Sequence, residues 1–365
     1  MAKTLTAPAR RRTLRPPRVR VERRARTGPV GLYRAYGIAV GAGVALLLLP
    51  LITSTAFSTV WSSLWSGLSS SFGIQSVIIA AVPLVIGGLA VAVPYRLGLW
   101  NVGVDGQMLL GAWLAAAIAF SLPDMNNVLL IPLMIVGSLI GGAIWILGPA
   151  LARAYLGVSE IITTFLLNFA AGAWLVYWAT GPWKAEASVG GTVSRDLPEQ
   201  ANLGAILFGD VVLHGGIWIA LVAPFVVWAG FRFLRAGFEA ELVGRNERAS
   251  AYAGISVKRR LVGAMLVGGA LGGLAGAVEM LGDTGVYTNG ITDNTGFAAL
   301  VVAVLAGGRE LAVIALAQLY AVLQVGGDEL ALQGVSNDIV LMVVGFTLLT
   351  GALGDAAARF RLVRS

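Results

Sequence analysis

The chain has 365 residues and is 57% hydrophobic and 12% charged, against about 45–50% and about 25% in soluble domains, which excludes a water-soluble globule. It contains no cysteine and one histidine, His214. Disulfides, iron–sulfur centres, cysteine nucleophiles and histidine metal clusters are therefore excluded, and neither a catalytic residue nor a metal site is expected. The formal charge of +7 sits at one end: residues 1–36 hold eleven Lys or Arg against Glu22, leaving 15 basic and 18 acidic residues elsewhere.

Residues 1–35 are rich in Arg and Pro and cannot bury enough surface to offset chain entropy. They read as a disordered basic cytoplasmic tail that orients the first span and touches membrane lipid, rather than as an arm for nucleic acid. No small-residue cleavage site ends the apolar stretch that follows, so the first span is expected to be retained. About twenty apolar residues cross the hydrocarbon as a helix. Ten stretches qualify, at about 37–57, 74–94, 105–121, 128–149, 159–180, 214–233, 260–281, 295–308, 311–327 and 336–353. The eighth is short. The expected fold is an all-α polytopic membrane protein, with a transmembrane domain over 36–355, a long inner loop at 235–259 and a cytoplasmic tail at 356–365.

Loop charge tests that count, because Lys and Arg near span ends resist export. With the amino terminus inside, every inner segment is basic: Arg96, then Arg153, then the seven from Arg232 to Arg260, then Arg309, then Arg359, Arg361 and Arg364. No outer segment has a basic excess. Both termini are therefore expected in the cytoplasm. Trp61, Trp65, Trp178 and Trp183 read as an outer interfacial belt, and Glu279 as an acid reaching the outer interface. Paired glycines such as Gly268-Gly269 and Gly272-Gly273 predict close helix packing.

Two phrases recur in order. Asn101-Val102-Gly103-Val104 precedes the third span and Gly157-Val158-Ser159-Glu160-Ile161-Ile162 opens the fifth. Asn294-Thr295-Gly296-Phe297 precedes the eighth and Gly334-Val335-Ser336-Asn337-Asp338-Ile339 opens the tenth. They predict an inverted repeat of spans two to five and seven to ten, a common basis of alternating access.

The densest polar insertion is Tyr95 to Gln107. Its glycines and Asn101 resist continuous helix, and irregular backbone at membrane depth needs protein or a water-filled cavity around it. Asn101, Asp105 and Gln107 are candidates to line or gate a translocation pathway; the alternative is a turn whose Asp105 complements a helix dipole. Glu160 and Asn168 lie two turns apart on one helix face and are further pathway candidates, although Glu160 after Ser159 also suits a helix first turn. In the inner loop, Asn246 can cap a short helix from Glu247 and Gly254 can end it. That helix would present Ala249, Tyr252 and Ala253 to a groove in a soluble partner.

Three ordered stretches, Gly98-Leu99-Trp100-Asn101-Val102-Gly103-Val104-Asp105-Gly106-Gln107, Val158 through Asn168, and Gly244-Arg245-Asn246 through Ile255, resemble the permease subunits of bacterial ABC importers for simple sugars and nucleosides. The likeness is greatest to the nucleoside branch that works with basic-membrane-protein-type lipoproteins. It implies that Gly244, Asn246, Glu247, Ala249, Tyr252, Ala253 and Gly254 form the coupling element to an ATP-binding-cassette ATPase. It also implies a second permease, forming a heterodimer, an extracytoplasmic substrate-binding lipoprotein, and residence in the cytoplasmic (inner) membrane. No lysine follows a glycine, so the chain lacks a Gly-Lys-Ser/Thr phosphate loop. It is expected to be no enzyme and to carry no cofactor, with ATP and Mg on the partner ATPase. Nucleosides are the expected substrate, with a pentose or hexose importer, or an ion-coupled secondary transporter, as alternatives.

Overall fold

A computed structural model describes residues 19–23, 30–53, 58–59, 61–62, 65, 69–185, 191–332 and 337–364. Each of the ten expected spans coincides with a helix: α1 (Val30–Thr53), α2 (Ser71–Tyr95), α3 (Val104–Ser121), α4 (Asn127–Leu151), α5 (Glu160–Thr180), α6 (Gly216–Phe233), then, after the inner-loop helices α7 (Arg235–Arg245) and α8 (Glu247–Tyr252), α9 (Val257–Glu279), α10 (Thr295–Ala306), α11 (Glu310–Leu332) and α12 (Asn337–Arg359). Among the described residues, eight helical segments are long and apolar enough to cross a membrane. The protein is an all-α polytopic membrane protein.

Two units divide the chain. The smaller comprises residues 1–45 and 346–365. In it Val19–Arg23 (β1) pairs antiparallel with Phe360–Arg364 (β6), so the segment expected to be a disordered tail contributes a strand, and its helix begins at Val30. Residues 1–18 and 24–29 lie outside the described residues.

The larger unit, residues 46–345, centres on α2 and α9. Glycines let α9 approach its neighbours at backbone distance: a methyl on Gly273 would collide with the Ser138 carbonyl and the Gly142 backbone of α4, and one on Gly111 of α3 with Gly273. In lipid such dispersion contacts substitute for a hydrophobic drive. The packing also repeats. α2 lies against α10 and α11 as α9 lies against α3 and α4, α3 contacts α4 as α10 contacts α11, and α2 meets α9 as α3 meets α10. Exchanging spans two to four for seven to nine maps the first three kinds of contact onto one another and the α2–α9 and α3–α10 contacts onto themselves, as the recurring phrases predict. Of the second long phrase, Gly334 to Ser336 lies outside the described residues.

Short strands absent from the sequence reading join α5 to α6 and α9 to α10. β2 (Val193–Asp196) pairs with β5 (Val286–Thr288), and β3 (Ala205–Phe208) with β4 (Val211–His214). Two further expectations are corrected here. Trp183 is buried, packs at a tilt against Trp178 and stacks on Trp113, at ring centroids 4.8 and 6.2 Å apart, so it is a core aromatic rather than an interfacial anchor. Glu279, expected as an acid reaching the outer interface, is half-buried, and among the described residues its Oε2 atom is buried without a hydrogen-bond partner.

Candidate functional site

The polar segment between α2 and α3 is built on a defect. Pro94 has no N–H, so the Ala90 carbonyl in the last turns of α2 has no helical donor. After Tyr95 the chain turns through Gly98, at φ +75°, and folds back along α2. Asn101 then donates from Nδ2 to the Ala90 oxygen at 3.1 Å. Its amide also pairs reciprocally with Gln107, Nδ2 to Oε1 at 2.9 Å and Nε2 to Oδ1 at 2.7 Å, while Oδ1 accepts from Gly103 N at 3.2 Å. Both side chains are fully buried. Each side-chain nitrogen and oxygen of the pair thereby has at least one partner, as burial demands.

One face of α5 satisfies the irregular backbone that follows. Glu160, Thr164 and Asn168 recur every four residues, which brings them onto one helix face. Trp100 N donates to Glu160 Oε1 at 3.3 Å and Val102 N to Thr164 Oγ1 at 3.2 Å. Asn168 donates from Nδ2 to Val102 O and accepts at Oδ1 from Gly106 N, both at 2.9 Å. The buried Glu160 is further ion-paired with Arg153 at 3.0 Å. Ser159 occupies the N-cap position of α5 without making a side-chain cap bond, so the carboxylate serves the neighbouring segment and Arg153. Glu160, Asn168, Asn101 and Gln107 thus belong to one network, to which Thr164 and Arg153 are additions. The Thr164 signal was available, because a hydroxyl at the midpoint between Glu160 and Asn168 shares their face.

Asp105 points elsewhere. Its carboxylate accepts from Gly296 N, in the first turn of α10, at 2.7 Å, where a negative charge suits the unpaired amides of a helix start. The contact brings the start of α3 against the start of α10. α10 has 12 residues, about 18 Å at 1.5 Å per residue, against a hydrocarbon core of about 30 Å. The regular helix is thus shorter than the hydrocarbon depth, and the eighth segment reaches the length of a span only together with the irregular stretch that begins at Asn289. The chain enters it through Asp293 and Asn294 at φ 30° and 62°, with Tyr287, Ile291 and Thr292 buried as non-helical backbone at that depth requires. Two helix starts from the two halves of the repeat converge inside the bundle.

The inner loop folds as expected over its short helix. Asn246 caps α8 by accepting from Ala249 N at 3.0 Å, and Gly254 ends it at φ +80°. Gly244, Asn246, Glu247, Ala249, Tyr252, Ala253 and Gly254 are all exposed, Tyr252 at 94%. Two anchors hold this elbow to the central helices. Glu239 of α7 bonds Arg260 of α9 at 2.6 Å and Arg235 at 2.7 Å. The Arg235 bond first, then that of Arg260, holds its carboxyl below the usual range. At the other anchor, Gly244 lies so close to the Arg96 carbonyl that no Cβ would fit. Arg96 in turn donates from Nη2 to the buried Glu310 at 2.6 Å and from Nε to Gly308 O at 3.0 Å. In the sequence Arg96 reads only as a marker of sidedness. Nothing in the primary structure couples it to a glutamate 214 residues away.

Residues 73–352 match the profile of a family described as "Branched-chain amino acid transport system / permease component". The chain is 33% identical over 336 residues to the glucose ABC transporter permease protein TsgB13 of Haloferax volcanii, covering 89% of this chain and 87% of that protein. It is 33% identical to the nucleoside ABC transporter permease protein NupB of Lactococcus lactis, over 72% of this chain and 74% of that one. It is 32% identical to the guanosine ABC transporter permease protein NupP of Bacillus subtilis, over 73% and 77%.

Proposed function

The chain belongs to the branched-chain amino acid transport system permease family of ABC transporters, and from that premise we propose that it imports nucleosides by alternating access. It does so as one of two permeases, with an ATPase holding ATP and Mg and an extracytoplasmic binding lipoprotein supplying the substrate. The observation that carries this reading is the convergence of two half-repeats at Asp105 and Gly296, 2.7 Å apart, beside the buried Asn101–Gln107 amide pair. Helix starts that meet inside a bundle suit a site for a neutral, hydroxyl-rich solute, since the amide of Gly296 and the side chains of Asn101 and Gln107 offer both donors and acceptors once their present bonds open.

The elbow supplies the drive. A partner ATPase gripping the exposed face of α8 would move α7, and α7 is tied to the end of α2 at Arg96 and to the start of α9 at Arg260. Displacing the end of α2 carries the segment from Trp100 to Gly106 along α5. Asn101, Gln107, Glu160 and Asn168 then act as a latch, closed in this conformation, whose bonds are exchanged for substrate or water when the path opens. The cytoplasmic placement of the elbow follows from the basic inner segments.

A second reading, import of a simple sugar, is favoured by the glucose permease relative, which covers 89% of this chain. The test is to co-purify the chain with its ATPase, second permease and binding protein and to measure ATP-dependent uptake of labelled nucleosides, pentoses and hexoses into proteoliposomes. Accumulation of nucleosides supports the first reading. Accumulation of sugars alone replaces it with the second, and ATP hydrolysis with no accumulation of any solute refutes transport.

A further inference from the structure

A cleft between α6 and α9 has no part in the reading above. It encloses a cavity of about 360 Å³, within the range of about 300–1,000 Å³ typical of small-ligand sites. Val93 of α2 is its floor, Val227 and Phe231 of α6 form one wall, Gly263 and Ala264 of α9 the other, and Gly237 of α7 closes the elbow end. At the lips Val226 and Val267 are 61% and 49% exposed, so in a membrane the cleft opens sideways into hydrocarbon. A water-borne metabolite would find almost no polar partner along these walls, whereas an alkyl chain matches them throughout.

The elbow end is different. Arg259 and Arg260 line the mouth, with Arg232 and Arg235 on the adjoining turns. Among the described residues Glu239 is the only acid bonded within this group, shared between Arg235 and Arg260. Among the described residues Arg232 and Arg259 form no ion pair, so the mouth keeps a surplus of positive charge. An apolar slot open to lipid, with a basic mouth at the interface, is complementary to an acyl chain joined to an anionic headgroup.

We propose that the cleft is a binding site for an anionic phospholipid, with one acyl chain between α6 and α9 and the phosphate against Arg259 and Arg260. Because α7 is both the end wall of the cleft and the first helix of the elbow, the bound lipid braces the elbow from the membrane side.

The test uses the purified full-length chain, stripped of lipid in detergent and re-supplied with phosphatidylglycerol or phosphatidylcholine, with retained lipid counted by native mass spectrometry. The expected result is selective retention of phosphatidylglycerol. Arg259→Gln should weaken that retention about fivefold, the share of one arginine near a charged headgroup, without altering phosphatidylcholine. Gly263→Leu, whose added side chain starts in open space, should fill the slot and remove both lipids from a chain that stays monodisperse. Equal retention of the two lipids, full retention by Gly263→Leu, or displacement of phosphatidylglycerol by millimolar inorganic phosphate would overturn the proposal; the last would mark a site for phosphate without the chain.

Discussion

Replacing Arg96 by Met tests how the elbow, the end of α2 and α11 are joined. Arg96 is the ion-pair partner of Glu310, whose side chain is 3% exposed, and it also donates to the Gly308 carbonyl at 3.0 Å. Removing one member of a buried pair strands the other charge, at a typical cost of about 3–5 kcal/mol. The arginine is 24% exposed, so water screens part of the pair and the lower end, about 3 kcal/mol, is expected. Glu310→Gln alone should cost less, since a neutral amide tolerates burial better, and the double variant should recover part of the Arg96→Met loss, with a coupling of about 1–3 kcal/mol. The assay is reversible unfolding of the four proteins in mixed micelles, followed by tryptophan fluorescence. Arg96→Met at under about 1 kcal/mol, with additive losses in the double variant, would refute the buried-pair argument.

In α9, Gly273→Ala should lower the midpoint of thermal unfolding and destabilise by about 1–3 kcal/mol, because its methyl meets the Ser138 and Gly142 backbone. Gly263→Ala, in open space on the same helix, should be neutral or slightly stabilising; fluorescence-detected gel filtration after heating separates the two. Asn168→Ala leaves Val102 O and Gly106 N without their partners and should cost about 2–6 kcal/mol at about 1–3 per stranded group. Asn168→Asp keeps the acceptor and should lose about half as much in the same unfolding assay. Burial lowers the His214 pKa, against a smaller opposing pull from Asp283, so the folded state holds the imidazole neutral. Its contribution is complete above the unfolded value of about 6.5 and is lost as pH falls through it. His214→Gln should therefore flatten the decline in melting temperature on acidification from pH 7 to 5, and an unchanged slope would contradict this.

Much of this architecture was legible because lipid imposes long uninterrupted apolar runs, and ten of them register directly as helices. The irregular stretch before α3 was legible for the opposite reason: Gly98, Asn101 and Gly103 break a pattern that is otherwise continuous. Its use of Pro94 was not, since a missing N–H matters only once the chain folds back to bring Asn101 to Ala90. The spacing of Glu160 and Asn168 revealed a shared face but not what it faces, which is backbone of the preceding segment. Asp105 reads locally as a first-turn acid of α3, yet its carboxylate serves α10, and only the inverted repeat brings those starts together. The strands at 193–196, 205–208, 211–214 and 286–288 were missed because each has three or four residues, too few for a period-two pattern to stand out.

The account rests on the elbow being a cytoplasmic handle for a separate ATPase, and the lack of native cysteine makes that directly measurable. A single Tyr252→Cys variant places one thiol at a position of α8 that is 94% exposed. A membrane-impermeant maleimide should label it in inside-out vesicles and not in intact cells, and added ATPase subunit should block the labelling. Labelling from the outside of intact cells, or labelling from the inside that saturating ATPase leaves unchanged, would contradict the account.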